Sequence, residues 1–98
     1  MASNNDWQVE WLVCRYARQK SFYKKARVEV KYDKSGIRIT ELWSYSTNVA
    51  RVVDYPSGNR ELQVFGWYSQ TTAKHINEFL QQNGYERMSK KQMQKGGY

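Results

Sequence analysis

The stretch WYSQTTAKHINEFLQQNG, from Trp67 to Gly84, limits the fold more than any other part of the chain. It predicts one amphipathic helix. Ser69 and Thr71 each suit its start, because a side-chain oxygen there accepts a backbone N–H that the helix leaves unsatisfied. Gly84 suits its end, since glycine adopts the left-handed conformation that closes many helices. Thr72, Ile76, Phe79, Leu80 and Asn83 fall on one face at helical spacing, while Lys74, Glu78, Gln81 and Gln82 fall mostly elsewhere. A stripe of Ile76, Phe79 and Leu80 needs an apolar surface to lie on. The chain has 98 residues, enough for one small domain, so the residues before the helix must supply that surface.

Those residues read as strands. Trp7, Val9, Trp11 and Val13 alternate with Gln8, Glu10, Leu12 and Cys14, which favours a strand; a helix capped by Asp6 is the alternative. Arg27 to Asp33 alternates Val28, Val30 and Tyr32 against Arg27, Glu29 and Lys31. Asp33-Lys34-Ser35-Gly36 predicts a turn, and Ile37 to Trp43 returns as the second arm of a hairpin. Trp43 to Asp54 predicts a further strand, with a bulge within Val49–Val53, where the apolar parity shifts. Tyr55-Pro56-Ser57-Gly58-Asn59 is the strongest turn, and Glu61 to Tyr68 the last strand. Gly66 within it suggests a bulge or a close backbone approach. The expected fold is therefore α+β: an antiparallel sheet of four to five strands with one C-terminal helix packed on one face. Four Trp, eight Tyr and three Phe give it the bulk for a core.

Residues 1–6 read as disordered, 7–87 as the single domain, and 88–98, MSKKQMQKGGY, as a mobile basic tail without apolar periodicity. No apolar run approaches the roughly 20 residues of a membrane span. The N-terminal MASNND has no signal-peptide character. A single cysteine, Cys14, excludes an intramolecular disulfide and favours a reducing compartment. A cytoplasmic protein with no membrane partner is the expectation.

The chemistry of common enzymes is missing from the pattern. One Cys and one His do not make a closed zinc site. There is no phosphate-binding glycine loop and no Gly-x-Ser-x-Gly turn. His75 is the one residue that suggests proton transfer, as in a small nuclease. Packing at the helix–sheet boundary, with one ring nitrogen bonded, is the preferred reading, because no second catalytic group is placed beside it. No cofactor and no enzymatic activity are expected.

Charge points to binding instead. The net charge is +7. Residues 1–26 carry five basic and two acidic side chains, residues 27–87 eight and seven, and residues 88–98 three lysines and no acid. The excess thus sits at the two ends. In the segment 15–27, Arg15, Arg18, Lys20, Lys24, Lys25 and Arg27 surround Tyr16, Phe22 and Tyr23 without an intervening acid. Lysine and arginine neutralise phosphates, and aromatic rings such as Phe22 and Tyr23 stack on unpaired bases. Lys90 and Lys91 add long-range attraction. The competing reading puts the aromatics in the core and the cations on a solvated face. Trp43, Trp67 and Tyr68 are partner anchors if exposed, with core packing preferred for at least two of them. A homodimer on an exposed sheet edge is the alternative to nucleic-acid binding.

Three stretches also carry a resemblance. They are Lys20-Ser21-Phe22-Tyr23-Lys24-Lys25-Ala26, Leu42-Trp43-Ser44-Tyr45-Ser46-Thr47-Asn48-Val49-Ala50, and Tyr68-Ser69-Gln70-Thr71-Thr72-Ala73-Lys74-His75-Ile76-Asn77-Glu78-Phe79-Leu80. Over about residues 20–84 the chain resembles a small, functionally uncharacterised domain family of tailed bacteriophages and prophages. Where relatives have Gly in the first stretch, this chain has Lys24, which makes the segment more basic. The resemblance brings no catalytic residues. It implies a phage setting inside a bacterial host cell. There, a small basic non-enzymatic domain fits an inhibitor of CRISPR defence that engages RNA, DNA or a host nucleoprotein such as a CRISPR effector.

Overall fold

The computed structural model describes residues 7–16 and 25–95. Along the chain run β1 (Trp7–Trp11), β2 (Ala26–Tyr32), β3 (Arg38–Ser44), β4 (Thr47–Asp54), β5 (Arg60–Val64), α1 (Gln70–Gln82) and the short α2 (Lys90–Gln94). The strands form one antiparallel sheet in sequence order, so every neighbour in space is a neighbour in the chain. This is the α+β architecture that the strand alternation predicts. The first segment is a strand, and it ends at Trp11, short of Cys14.

Local chemistry explains the turns. Asp33 Oδ1 accepts the N–H groups of Ser35 and Ile37, and Gly36, at φ +85°, donates to the Asp33 carbonyl. An aspartate at the first position and a glycine at positive φ close this hairpin. Gly58 takes φ +96° in the turn after Tyr55. One turn departs from the sequence expectation. Trp43–Asp54 is not a single strand: β3 ends at Ser44, and Tyr45, at φ 55°, turns the chain into β4. A non-glycine residue at positive φ leaves little local signal to read. The expected bulge is present. Leu42 opposes Ala50 and Trp43 opposes Asn48, so Val49 is the extra residue. Both Val49 and Ala50 are buried as a result. β5 stops at Val64, and residues up to Tyr68 lead irregularly into the helix.

Helix α1 begins as its caps predict. Ser69 Oγ accepts the Thr72 N–H at 3.1 Å. At the other end Tyr85 N–H bonds Leu80 O at 2.9 Å and Gly84 N–H bonds Gln81 O at 3.2 Å, with Gly84 at φ +86°. These two bonds form a Schellman closure around a left-handed glycine. Ile76, Phe79 and Leu80 are buried against Leu12, Ala26, Leu42, Ala50, Val52 and Val64 from the sheet side. Each such side chain contributes about 1.5–3 kcal/mol by leaving water.

The expectation of a mobile tail over 88–98 is corrected at residues 88–95. Met88 and Met93 belong to the core, and Met93 is fully buried. Ser89 and Gln92 form a reciprocal capping box that starts α2. Asn77 fastens the approach, accepting from Met88 N–H at 2.8 Å and donating to Met88 O at 3.3 Å. Two methionines five residues apart do not announce a helix face, which is why the sequence pattern conceals this element. Among the described residues, no helix is long and apolar enough to cross a membrane.

Candidate nucleic-acid interface

Antiparallel pairing decides which side chains share a face, because directly opposite residues point the same way. Both helices supply the core on one face. On the other, Trp11 opposes Arg27 and Arg27 opposes Trp43, making a row across β1, β2 and β3. The next row is Val9, Glu29, Glu41, Arg51 and Gln63. The Arg27 guanidinium lies 4.8 Å over the Trp43 ring, and its Nε donates to Glu29 Oε2 at 2.7 Å. Its Nη1 reaches the Tyr45 carbonyl at 3.1 Å. Lys31 pairs with Glu41 at 3.1 Å. Trp43 Nε1 and Asn48 Nδ2 also donate to Glu41. Arg51 donates to Gln63 and lies 6.0 Å from the Phe65 ring. The face is therefore an aromatic and guanidinium surface whose carboxylates are already engaged by cations of the same chain. Trp11 is 41 % exposed and Val9 53 %. Val9, Glu10, Trp11 and Arg27 line a shallow concavity.

The expected basic segment is described only in part. Arg18, Lys20, Phe22, Tyr23 and Lys24 lie outside the described residues. Arg15, Tyr16 and Lys25 are exposed at the two ends of that gap. Arg27 differs from the expectation of a solvated phosphate ligand, since Glu29, Trp43 and Tyr45 O occupy its guanidinium. Lys90 and Lys91 sit on α2, where Lys90 Nζ lies 4.2 Å over the Trp67 ring. That attachment follows β5, at the edge of the sheet opposite β1. The structure thus gathers Arg15, Lys25 and Arg27 around β1 and β2, and gives the α2 lysines a separate surface. Trp67 packs partly against the core, Trp43 lies on the open face, and Tyr68 is exposed.

One buried, many-partnered polar residue carries no sequence signal. Helical spacing sets Glu78 off the buried stripe, yet it is 1 % exposed. Its carboxylate accepts the backbone N–H groups of Arg15, at 2.9 Å, and Tyr16, at 3.0 Å. Gln82 Nε2 also donates to it. Glu78 therefore fixes the point where the basic segment leaves β1. Buried carboxylates persist where several donors face them, and no local pattern reveals donors so far away in sequence.

His75 is fully buried, with Nδ1 2.9 Å from Ser44 Oγ, which also lies 2.9 Å from Thr72 Oγ1. Burial, and then the positive charge of Lys25, push its pKa down from the usual value to about 4. It is a neutral imidazole at pH 7, bonded to the Ser44 hydroxyl and through it to that of Thr72 at the helix–sheet boundary. Among the described residues there is no gathering of three or more His, Cys, Asp or Glu side chains able to hold a metal.

Residues 11–95 match a family described as a family of unknown function, DUF8033. The chain belongs to that family. The DUF8033 match takes in β2 to β5, both helices and the basic segment. No curated protein and no solved structure matches the chain.

Proposed function

We propose that this DUF8033 chain is a non-enzymatic protein that binds single-stranded nucleic acid on the open face of its sheet. The observation that carries the reading is the row Trp11, Arg27, Trp43. Indole rings and a guanidinium plane offer stacking surfaces to unpaired bases, and such stacking tolerates any sequence. The row adjoins the end of the chain where the basic segment 15–27 begins and ends. Its cations attract phosphates, while the carboxylates of Glu29 and Glu41 are screened by Arg27 and Lys31. The resemblance to phage domains supports a setting in the cytoplasm of a bacterial host. There the proposed role is to inhibit a CRISPR effector, which holds RNA and DNA in charged channels.

The test is binding of labelled single-stranded RNA, a structured guide-like RNA and duplex DNA, each titrated with salt. The single strand is expected to bind most tightly, with affinity falling steeply as salt rises. Trp11→Ala is expected to cost about 1–3 kcal/mol of binding, the usual loss of one stacking platform. Changing Arg18, Lys20, Lys24 and Lys25 together to Ala should flatten the salt dependence. No binding at low salt would sink the reading. A CRISPR interference assay, with the same variants as controls, tests the role in the host.

A further inference from the structure

Strand β1 is an edge strand, and its sequence reads almost the same in both directions: Trp7-Gln8-Val9-Glu10-Trp11. We propose that two copies of the chain pair through β1, antiparallel about a twofold axis at Val9, to form one continuous ten-stranded sheet.

The backbone sets the register. Leu12 N–H bonds Ala26 O at 2.9 Å, so the amide of Leu12 faces β2. In an antiparallel ladder the residues facing a given neighbour alternate by two. Gln8 and Glu10 therefore direct their peptide groups at β2, and Val9 directs its own toward the outer edge. A twofold axis at Val9 sets that residue opposite itself as a hydrogen-bonded pair. It sets Trp7 opposite Trp11 of the second copy, and Gln8 opposite Glu10. Amide meets carboxylate in the last pair, so no like charges oppose one another along the strand. A one-residue shift loses this correspondence.

Among the described residues, the edge also lacks the usual protection. Natural edge strands are guarded by lysine, proline, bulges or short length. β1 has none of the first three. Its pairing with β2 is regular over five residues, and Glu10 is its only charge. β5, the other edge, carries Arg60 and Glu61, and Arg60 Nη1 is tied to Asn83 O at 2.8 Å. Val9, Trp11 and Val13 are all large and more than two-fifths exposed. Pairing would bring the Trp11–Arg27–Trp43 rows of both copies onto one surface. The dimer does not depend on nucleic acid, and salt separates the two readings. Two chains of charge +7 repel, so salt strengthens the dimer while it weakens phosphate binding.

Sedimentation or light scattering across a protein concentration series tests the proposal. A concentration-dependent dimer is expected, since a two-strand seam is at the small end of interface sizes. Val9→Lys opposes two like charges at the axis and should leave a folded monomer, verified by its circular dichroism. A covalent test reports the register even if that variant misfolds. Val9→Cys in a Cys14→Ser background should oxidise readily to a disulfide-linked dimer. Trp11→Cys in the same background should cross-link far less, because position 11 faces position 7. A monomer at every concentration overturns the proposal and leaves the edge to a strand of another protein. So does a dimer indifferent to Val9→Lys, or equal cross-linking at the two positions.

Discussion

The Nδ1 of His75 and the hydroxyl of Ser44 lie 2.9 Å apart in a site closed to solvent. This contact joins α1 to the last residue of β3. It spans 31 positions of sequence, so it exists only when helix and sheet have docked. The same burial that makes the contact structural also keeps the imidazole from taking up its second, charging proton.

Stability should consequently fall in acid. In the unfolded chain the imidazole takes up a proton near its ordinary pKa of 6.5, whereas in the folded chain it does so near 4. Between those values the unfolded state holds more protons, so unfolding becomes easier as pH drops. The loss from this group begins at about pH 6.5 and is complete below about pH 4. The full effect is on the order of 3 kcal/mol, at about 1.4 kcal/mol per pH unit. Urea unfolding of the wild type and His75→Asn across this range checks it: the variant should show the shallower decline. Equal slopes would remove His75 as the cause.

Glu78→Gln should destabilise the fold by about 1.5–3 kcal/mol, the usual worth of hydrogen bonds to a charged group. The amide opposes a donor of its own to the N–H groups of Arg15 and Tyr16. Hydrogen exchange should show both amides losing protection first, ahead of those in β3 and β4. A variant with wild-type unfolding midpoint would refute the role given to Glu78.

Met93→Ala should cost about 2–5 kcal/mol, as expected for a fully buried methionine. Ser89→Ala, which removes the cap of α2, should cost about 1 kcal/mol. Thermal unfolding of the two variants distinguishes a docked helix from a mobile tail, for which neither change would matter.

Gly84→Ala should destabilise by about 1 kcal/mol, because an alanine at φ +86° brings its Cβ close to the carbonyl. No side chain crowds the position, so the cost is conformational alone. Gly84→Asn should recover part of it, since asparagine tolerates the left-handed region better.

Much of the fold was legible because its instructions are local. The alternation of Val28 and Val30 against Glu29 and Lys31, the Asp33–Gly36 turn, the shifted parity at Val49 and the Ser69 and Gly84 caps all act within a few residues. The basic segment was legible as composition, and its central residues lie outside those described. The Tyr45 turn has no local signature, because a tyrosine at positive φ is held by the hairpin around it rather than by its own preference. α2 escaped because two methionines and three lysines resemble a tail until a core is present to receive Met93.

The sequence by itself determined an antiparallel sheet of four to five strands followed by one amphipathic helix, since side-chain alternation, turn residues and helix caps are short-range effects. Only the tertiary structure decided that Glu78 would be buried, that residues 88–95 would join the core, and that Trp11, Arg27 and Trp43 would share an open face. Each of these depends on strand register and helix docking, which bring together groups as distant in sequence as Glu78 and Arg15, 63 positions apart. Burial and partners are properties of the assembled layers, and no window of sequence contains them.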